Sequence, residues 1–155
     1  MLATSGIALS PPPQPYRGGR EWLEATDPRT DFSRLLELTT SSDVQVRMAV
    51  ASRPTLQMGL LATLAFDTHP DVRVAVAGSV RLNPVVAEVL LADRDWRVLR
   101  ALAHNSATPQ VIIEALCGAK RPEVRRAARR HLTQIESAPA QRHVANTFPI
   151  LVQRP

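Results

Sequence analysis

The chain has 155 residues but only one cysteine, one lysine and few aromatics: two Trp, three Phe and one Tyr. A single thiol, Cys117, excludes an internal disulfide and any all-cysteine metal or iron–sulfur centre within one chain. With aromatics at 4%, the 45% apolar fraction rests on Ala, Val and Leu, a composition that suits closely spaced helices. No apolar run approaches the roughly 18 residues of a membrane span. The opening "MLATSGIALSPPP" lacks the basic start and long apolar centre of a secretory signal. The expectation is a soluble, cytoplasmic protein without a membrane partner. Chemistry is equally sparse. His69, His104, His131 and His143 show no HExxH or HxH spacing, and no glycine-rich phosphate loop exists. No catalytic residue, metal or cofactor is therefore assigned.

Charge is present in an uneven form. The net charge is +5, and Lys120 is the single lysine among 19 basic residues. Together with abundant Ala, that arginine bias fits a GC-rich bacterial genome. Residues 1–66 and 67–118 are close to neutral, so the excess falls in residues 119–155, with eight basic residues against two acids.

The segment "HPDVRVAVAGSV" alternates Val72, Val74 and Val76 in the manner of a strand, yet also fits one face of a helix. Its recurrence decides between them. "DVQVRMAVASRP", "HPDVRVAVAGSV", "WRVLRALAHNSA" and "RPEVRRAARRHL" align on Arg47, Arg73, Arg100 and Arg125, at spacings of 26, 27 and 25. Nine residues before these anchors stand Leu38, Leu64, Leu91 and Leu116. The third and fourth copies lose the alternation but keep apolar residues at −1, +2 and +3, which share a helical face only. Each unit therefore reads as a short helix, a turn and a second helix, with Pro70 and Pro122 near helix starts and Pro54, Pro84 and Pro109 between units. Neither helix buries its apolar stripe alone, whereas stacked neighbours do.

The phrases "LAFDTHPDVRVAVAGS" and "VRxxVA…P" resemble the HEAT repeat and, more closely, the bacterial variant leucine-rich repeat, over about residues 31–132. That resemblance implies an all-α fold, a short right-handed α-solenoid of about four two-helix repeats with a period of about 26. Variant leucine-rich repeat proteins can carry an N-terminal iron–sulfur module held by clustered cysteines. Cys117, alone in a small-residue column, does not support its transfer.

Residues 1–20, with "SPPPQPYRGG", are expected to form a disordered Pro-rich arm; "PPQPYR" formally fits a PxxPxR ligand. Residues 21–136 form the repeat domain, with residues 21–38 as cap and opening helix. Residues 137–155 form a tail whose "FPILV" (Phe148–Val152) docks either on its own array or on another molecule.

Three sets of candidate residues follow. Arg47, Arg73, Arg100 and Arg125 sit at the edge of the apolar stripe, where a buried stem can pair its head with an acid such as Asp43, Asp67, Asp93 or Asp95. This set is read as a structural ladder ahead of a ligand-facing row. The basic terminal helix, with Lys120, Arg121, Arg125, Arg126, Arg129 and Arg130, is a polyanion-binding candidate, beside a plain role as a polar cap. The column four before each anchor, Asp43, His69, Trp96 and Arg121, varies freely and reads as an exposed partner-binding row. There Arg94 and Arg97 flank Trp96.

The preferred function is a non-catalytic scaffold or adaptor holding a protein partner on the repeat surface. The runner-up is nucleic-acid binding through the terminal helix. Third stands a HEAT-like DNA glycosylase, whose vocabulary Trp96 and Asp95 echo superficially. Partner identity and oligomeric state are left open by the residues.

Overall fold

A computed structural model describes residues 19–137. Among the described residues it is all-helical, with nine helices and no strand: α1 (Arg20–Thr26), α2 (Phe32–Leu38), α3 (Val44–Ala51), α4 (Met58–Leu64), α5 (Pro70–Ala77), α6 (Pro84–Leu91), α7 (Trp96–His104), α8 (Gln110–Leu116) and α9 (Pro122–Ser137). The ambiguous valine segment is α5. Val72 and Val76 are fully buried while Val74 is half-buried, as one helical face requires.

Local chemistry sets the boundaries. Asp31 and Asn83 accept from backbone N–H groups of Arg34 and Val86 at the starts of α2 and α6. Asp43, His69 and Asp95 do the same for α3, α5 and α7, accepting from the N–H two residues on. Each satisfies a donor that the first helical turn leaves open. Pro70 and Pro84 occupy first-turn positions where no N–H is needed.

The odd-numbered helices pack in order: α1 on α3, α3 on α5, α5 on α7 and α7 on α9. Each even-numbered helix from α2 to α8 packs against the odd helix that follows it. The core repeats with a strict 26-residue period. Leu38, Leu64, Leu90 and Leu116 are each 1% exposed. Val46, Val72, Val98 and Val124 are buried, as are Val50, Val76, Leu102 and Ala128. Burying a Val or Leu side chain stabilises by about 1.5–3 kcal/mol, and no helix here achieves it alone.

A fourth column is made of alanines on the odd helices. Ala25, Ala51, Ala77 and Ala103 are all 0% exposed. A methyl group takes little room between packed helices, whose axes usually lie about 8–10 Å apart. The next position in that column is Arg129, which is exposed. No odd helix follows α9 among the described residues, so the place where Ala was required takes a charged residue.

The structure corrects the repeat alignment in its third copy. Val98 is the buried equivalent of Val46 and Val72, so Leu99, not Arg100, holds the position of Arg47 and Arg73. Leu90, not Leu91, likewise continues the leucine column. The irregular spacings of 26, 27 and 25 become a uniform 26. At the N-terminus, the stretch expected to hold a cap and the opening helix contains two helices, α1 and α2, and α1 begins at Arg20, inside the expected arm. Residues 1–18 with the PxxPxR stretch, His143 and the Phe148–Val152 segment lie outside the described residues.

Candidate functional site

The turns that join each even helix to its odd partner line one edge of the molecule. Arg47 in α3 donates Nε and Nη2 to the two carboxylate oxygens of Asp67, at 2.7 and 3.0 Å, and Nη1 to the Ser41 carbonyl at 2.7 Å. One unit on, Arg73 donates Nε and Nη2 to Asp93 at 2.6 and 3.1 Å, and Nη1 to the Asp67 carbonyl at 2.8 Å. Asp67 therefore joins two rungs, taking Arg47 on its side chain and Arg73 on its backbone. These bidentate pairs are largely sheltered, with side chains 12% and 7% exposed in the first and 19% and 6% in the second. Burial pushes the Asp67 carboxyl up, but the Arg47 guanidinium and the His69 N–H outweigh it, so the group titrates below its usual range. Asp93 behaves alike, with Arg73 and the Asp95 N–H outweighing burial. The Arg47 and Arg73 guanidinium groups are held charged by the same contacts.

The ladder stops at Asp93. Where the third rung falls, Leu99 replaces the arginine and Ala119, twenty residues on, replaces the aspartate. Both members of the bridge change together, and a cleft opens there. It measures about 560 Å³, against about 330 and 320 Å³ for the grooves crossed by Arg47–Asp67 and Arg73–Asp93. Leu99, Leu116 and Ala119 give it an apolar floor, Trp96 one wall, and Arg94, Lys120 and Arg121 a cationic rim. None of these three cations makes an ion pair among the described residues. Its acid, Asp93, is occupied by Arg73.

Arg125 organises the rim. Its Nη1 donates to the carbonyls of Ala119 and Lys120, at 2.9 and 2.8 Å, as Arg47 and Arg73 do to their own turns. It fixes the loop that carries Lys120 and Arg121, although no acid pairs with it among the described residues. Arg100, the remaining anchor, is exposed and lies one residue away from this column.

The sequence candidates thus separate. Arg94, Trp96, Lys120 and Arg121 come together around one cleft. Asp43 and His69 do not join them; they cap α3 and α5. The structure replaces Trp96 in that column with Asp95, the cap of α7, so free variation there reflects the several side chains able to cap a helix. Arg97 points elsewhere, pairing with Asp95 at 2.8 Å and with Asp71 of α5 at 2.7 Å. Asp95 is held low by the hydrogen bonds from Arg97, so the carboxylate considered for glycosylase chemistry serves as a cap and an ion-pair partner. Arg126, Arg129 and Arg130 are exposed on α9. Cys117 is half-buried at the end of α8. Among the described residues, no group of three or more His, Cys, Asp or Glu gathers to hold a metal ion, and no helix is long and apolar enough to cross a membrane.

A second polar seam has no counterpart in the sequence reading. Arg53 donates Nη1 to the Ala25 and Asp27 carbonyls at 2.7 and 2.9 Å. Asn105 donates Nδ2 to the Ala77 and Ser79 carbonyls, both at 2.8 Å, and His131 Nδ1 lies 3.0 Å from the Ala103 carbonyl. Positions 53, 79, 105 and 131 form another 26-residue column, held by Arg, Ser, Asn and His. Three of its members supply donors to the open C-terminal carbonyls of the preceding odd helix. Arg53 is 7% exposed and its Nε has no acceptor among the described residues. Matching by residue type misses this column, because its members share only the ability to donate.

No family model, no curated protein and no solved structure matches this chain.

Proposed function

We propose that the chain is a non-catalytic binding module, a short right-handed α-solenoid of the HEAT-like or variant leucine-rich kind, that holds a protein partner in its third groove. The in-order packing of α1, α3, α5, α7 and α9 and the 26-residue core columns support the architecture. The observation that carries the function is the loss of both bridge residues at one position, Leu99 and Ala119, where two neighbouring grooves are closed by arginine and aspartate. An apolar floor with an aromatic wall and unpaired cations is the make-up of a partner-binding centre, where aromatic and arginine side chains carry most of the affinity. Affinity capture with the full chain, against Trp96→Ala and Lys120→Glu/Arg121→Glu versions, tests this. A defined protein captured by the parent and lost by both variants supports the reading; equal capture by all three removes the groove from consideration.

A second reading rests on α9. Arg126, Arg129 and Arg130 are exposed and carry no ion pair among the described residues, which suits a phosphate backbone. Binding to double-stranded DNA would then weaken with salt, and each arginine removed would lower the log–log slope by about 0.9. An Arg126→Gln/Arg129→Gln/Arg130→Gln variant that keeps the parental slope excludes this helix as the contact.

A further inference from the structure

We infer that the third groove takes an acidic peptide segment, with a carboxylate held by Arg94, Lys120 and Arg121 and an adjacent aliphatic side chain resting on Leu99 and Ala119 beside Trp96. This rests on the protein-binding reading above and adds the chemistry of the partner.

Charge complementarity comes first. Within the first two grooves a carboxylate sits against a guanidinium, supplied in each case by the next turn of the same chain. At the third, the turn supplies Ala119 and Lys120 instead, and three cations with no ion pair among the described residues line the opening. A carboxylate from outside restores the missing sign of charge, and charge-assisted hydrogen bonds from Arg are the strong kind. The backbone that carries Lys120 is also held in advance, since Arg125 ties down the Ala119–Lys120 loop through two carbonyls.

Apolar surface comes second. In the closed grooves the long arginine stem crosses the space now vacated above Leu99. A volume of about 560 Å³ accommodates an acidic side chain together with an aliphatic neighbour.

The occupant is assigned to another molecule on the distribution of acidic side chains. All 14 acidic residues fall between Glu21 and Glu136, so residues 1–18 and 138–155 contain no acidic side chain with which to fill the groove. A nucleic-acid strand is a poorer match: Asp93 already lines this groove beside Arg73, and a strand continuing along the same edge next meets the carboxylate of Asp67. One carboxylate fits where a chain of phosphates does not.

The test is an NMR titration of the isotope-labelled full chain with four probes: a short peptide alternating aspartate with leucine, its asparagine–leucine and lysine–leucine counterparts, and oligo-dT. The expected result is that the aspartate peptide shifts the Trp96 indole and the Ala119 and Lys120 amides. The asparagine peptide should bind about tenfold more weakly, equivalent to about 1.4 kcal/mol. Lys120→Glu/Arg121→Glu alters two exposed residues and should reverse the preference, favouring a lysine–leucine peptide. Equal binding of the asparagine and aspartate peptides at the groove overturns the carboxylate assignment and leaves groove binding standing. Oligo-dT shifting the groove resonances in preference to the peptides overturns the peptide assignment. Groove resonances that no peptide moves overturn both the assignment and the function on which it rests.

Discussion

Arg73 and Asp93 close the second groove with a bidentate bridge, and one unit further along the same edge their counterparts are Leu99 and Ala119. A bridge lost as a pair differs from a bridge lost by one partner. Removing one member of a sheltered ion pair leaves an uncompensated charge, whereas removing both can be close to neutral.

That contrast gives the first prediction. Arg47→Leu and Asp67→Ala should each destabilise the chain by about 3 kcal/mol. The combined Arg47→Leu/Asp67→Ala variant copies what occurs at Leu99 and Ala119, and should cost clearly less than the two single changes together. Chemical denaturation of the four proteins measures the coupling. Additive losses would show that the pair does not act as a unit.

The same carboxylates set an acid limit. Asp67 and Asp93 titrate below their usual range in the folded chain. Their contribution is therefore complete above the unfolded-chain value of about 3.9 and is lost as pH falls through the lower, folded value. Stability should change little from pH 7 to 5 and drop below about pH 4. Asp67→Asn/Asp93→Asn should be less stable at neutral pH and show a shallower acid drop. An unchanged acid profile would contradict the assignment.

Arg53 offers a test of the second seam. Arg53→Ala removes two hydrogen bonds to the end of α1 and leaves the buried Ala25 carbonyl without that donor, at a cost of about 1–3 kcal/mol. Arg53→Asn places at that position the residue that performs the same task at Asn105, and should retain more of the stability. Thermal melting distinguishes them; equal losses would show that the seam depends on the bulk of arginine rather than on donation.

The alanine column predicts a positional contrast. Ala77→Leu forces extra methylenes between α5 and α7 and should cost about 1–3 kcal/mol. Arg129→Leu, in the same column but on the open side of α9, should stay within about 0.5 kcal/mol. Equal effects at the two sites would contradict close contact at that column.

Much of this fold is visible in the residues themselves, because Leu38, Leu64 and Leu116, or Val46, Val72 and Val124, repeat the same side chain at the same interval. The third copy hides its register. "WRVLR" offers an arginine at position 100 beside the true column at Leu99, and the pair Leu90–Leu91 matches the leucine column at either residue. The alanines at 25, 51, 77 and 103 would have fixed the interval at 26, since a buried methyl contact tolerates no slip. Once the register slips, the substitution of Leu99 and Ala119 for arginine and aspartate disappears from view, and with it the cleft. Arg94, Trp96, Lys120 and Arg121 were visible as unusual residues, but their common location depends on two turns separated by α7 and α8. Only the packing of those helices brings them together.

The most direct measurement rebuilds the missing rung. Leu99→Arg, Ala119→Asp and the combined variant form a double-mutant cycle with the parent, followed by chemical denaturation. If the cleft is a rung without its bridge, each single change destabilises and the pair recovers at least about 1 kcal/mol through favourable coupling, with the Trp96 indole resonance shifting as the groove closes. Single effects that simply add, with an unmoved Trp96, would show that the third groove is not built on the plan of the first two.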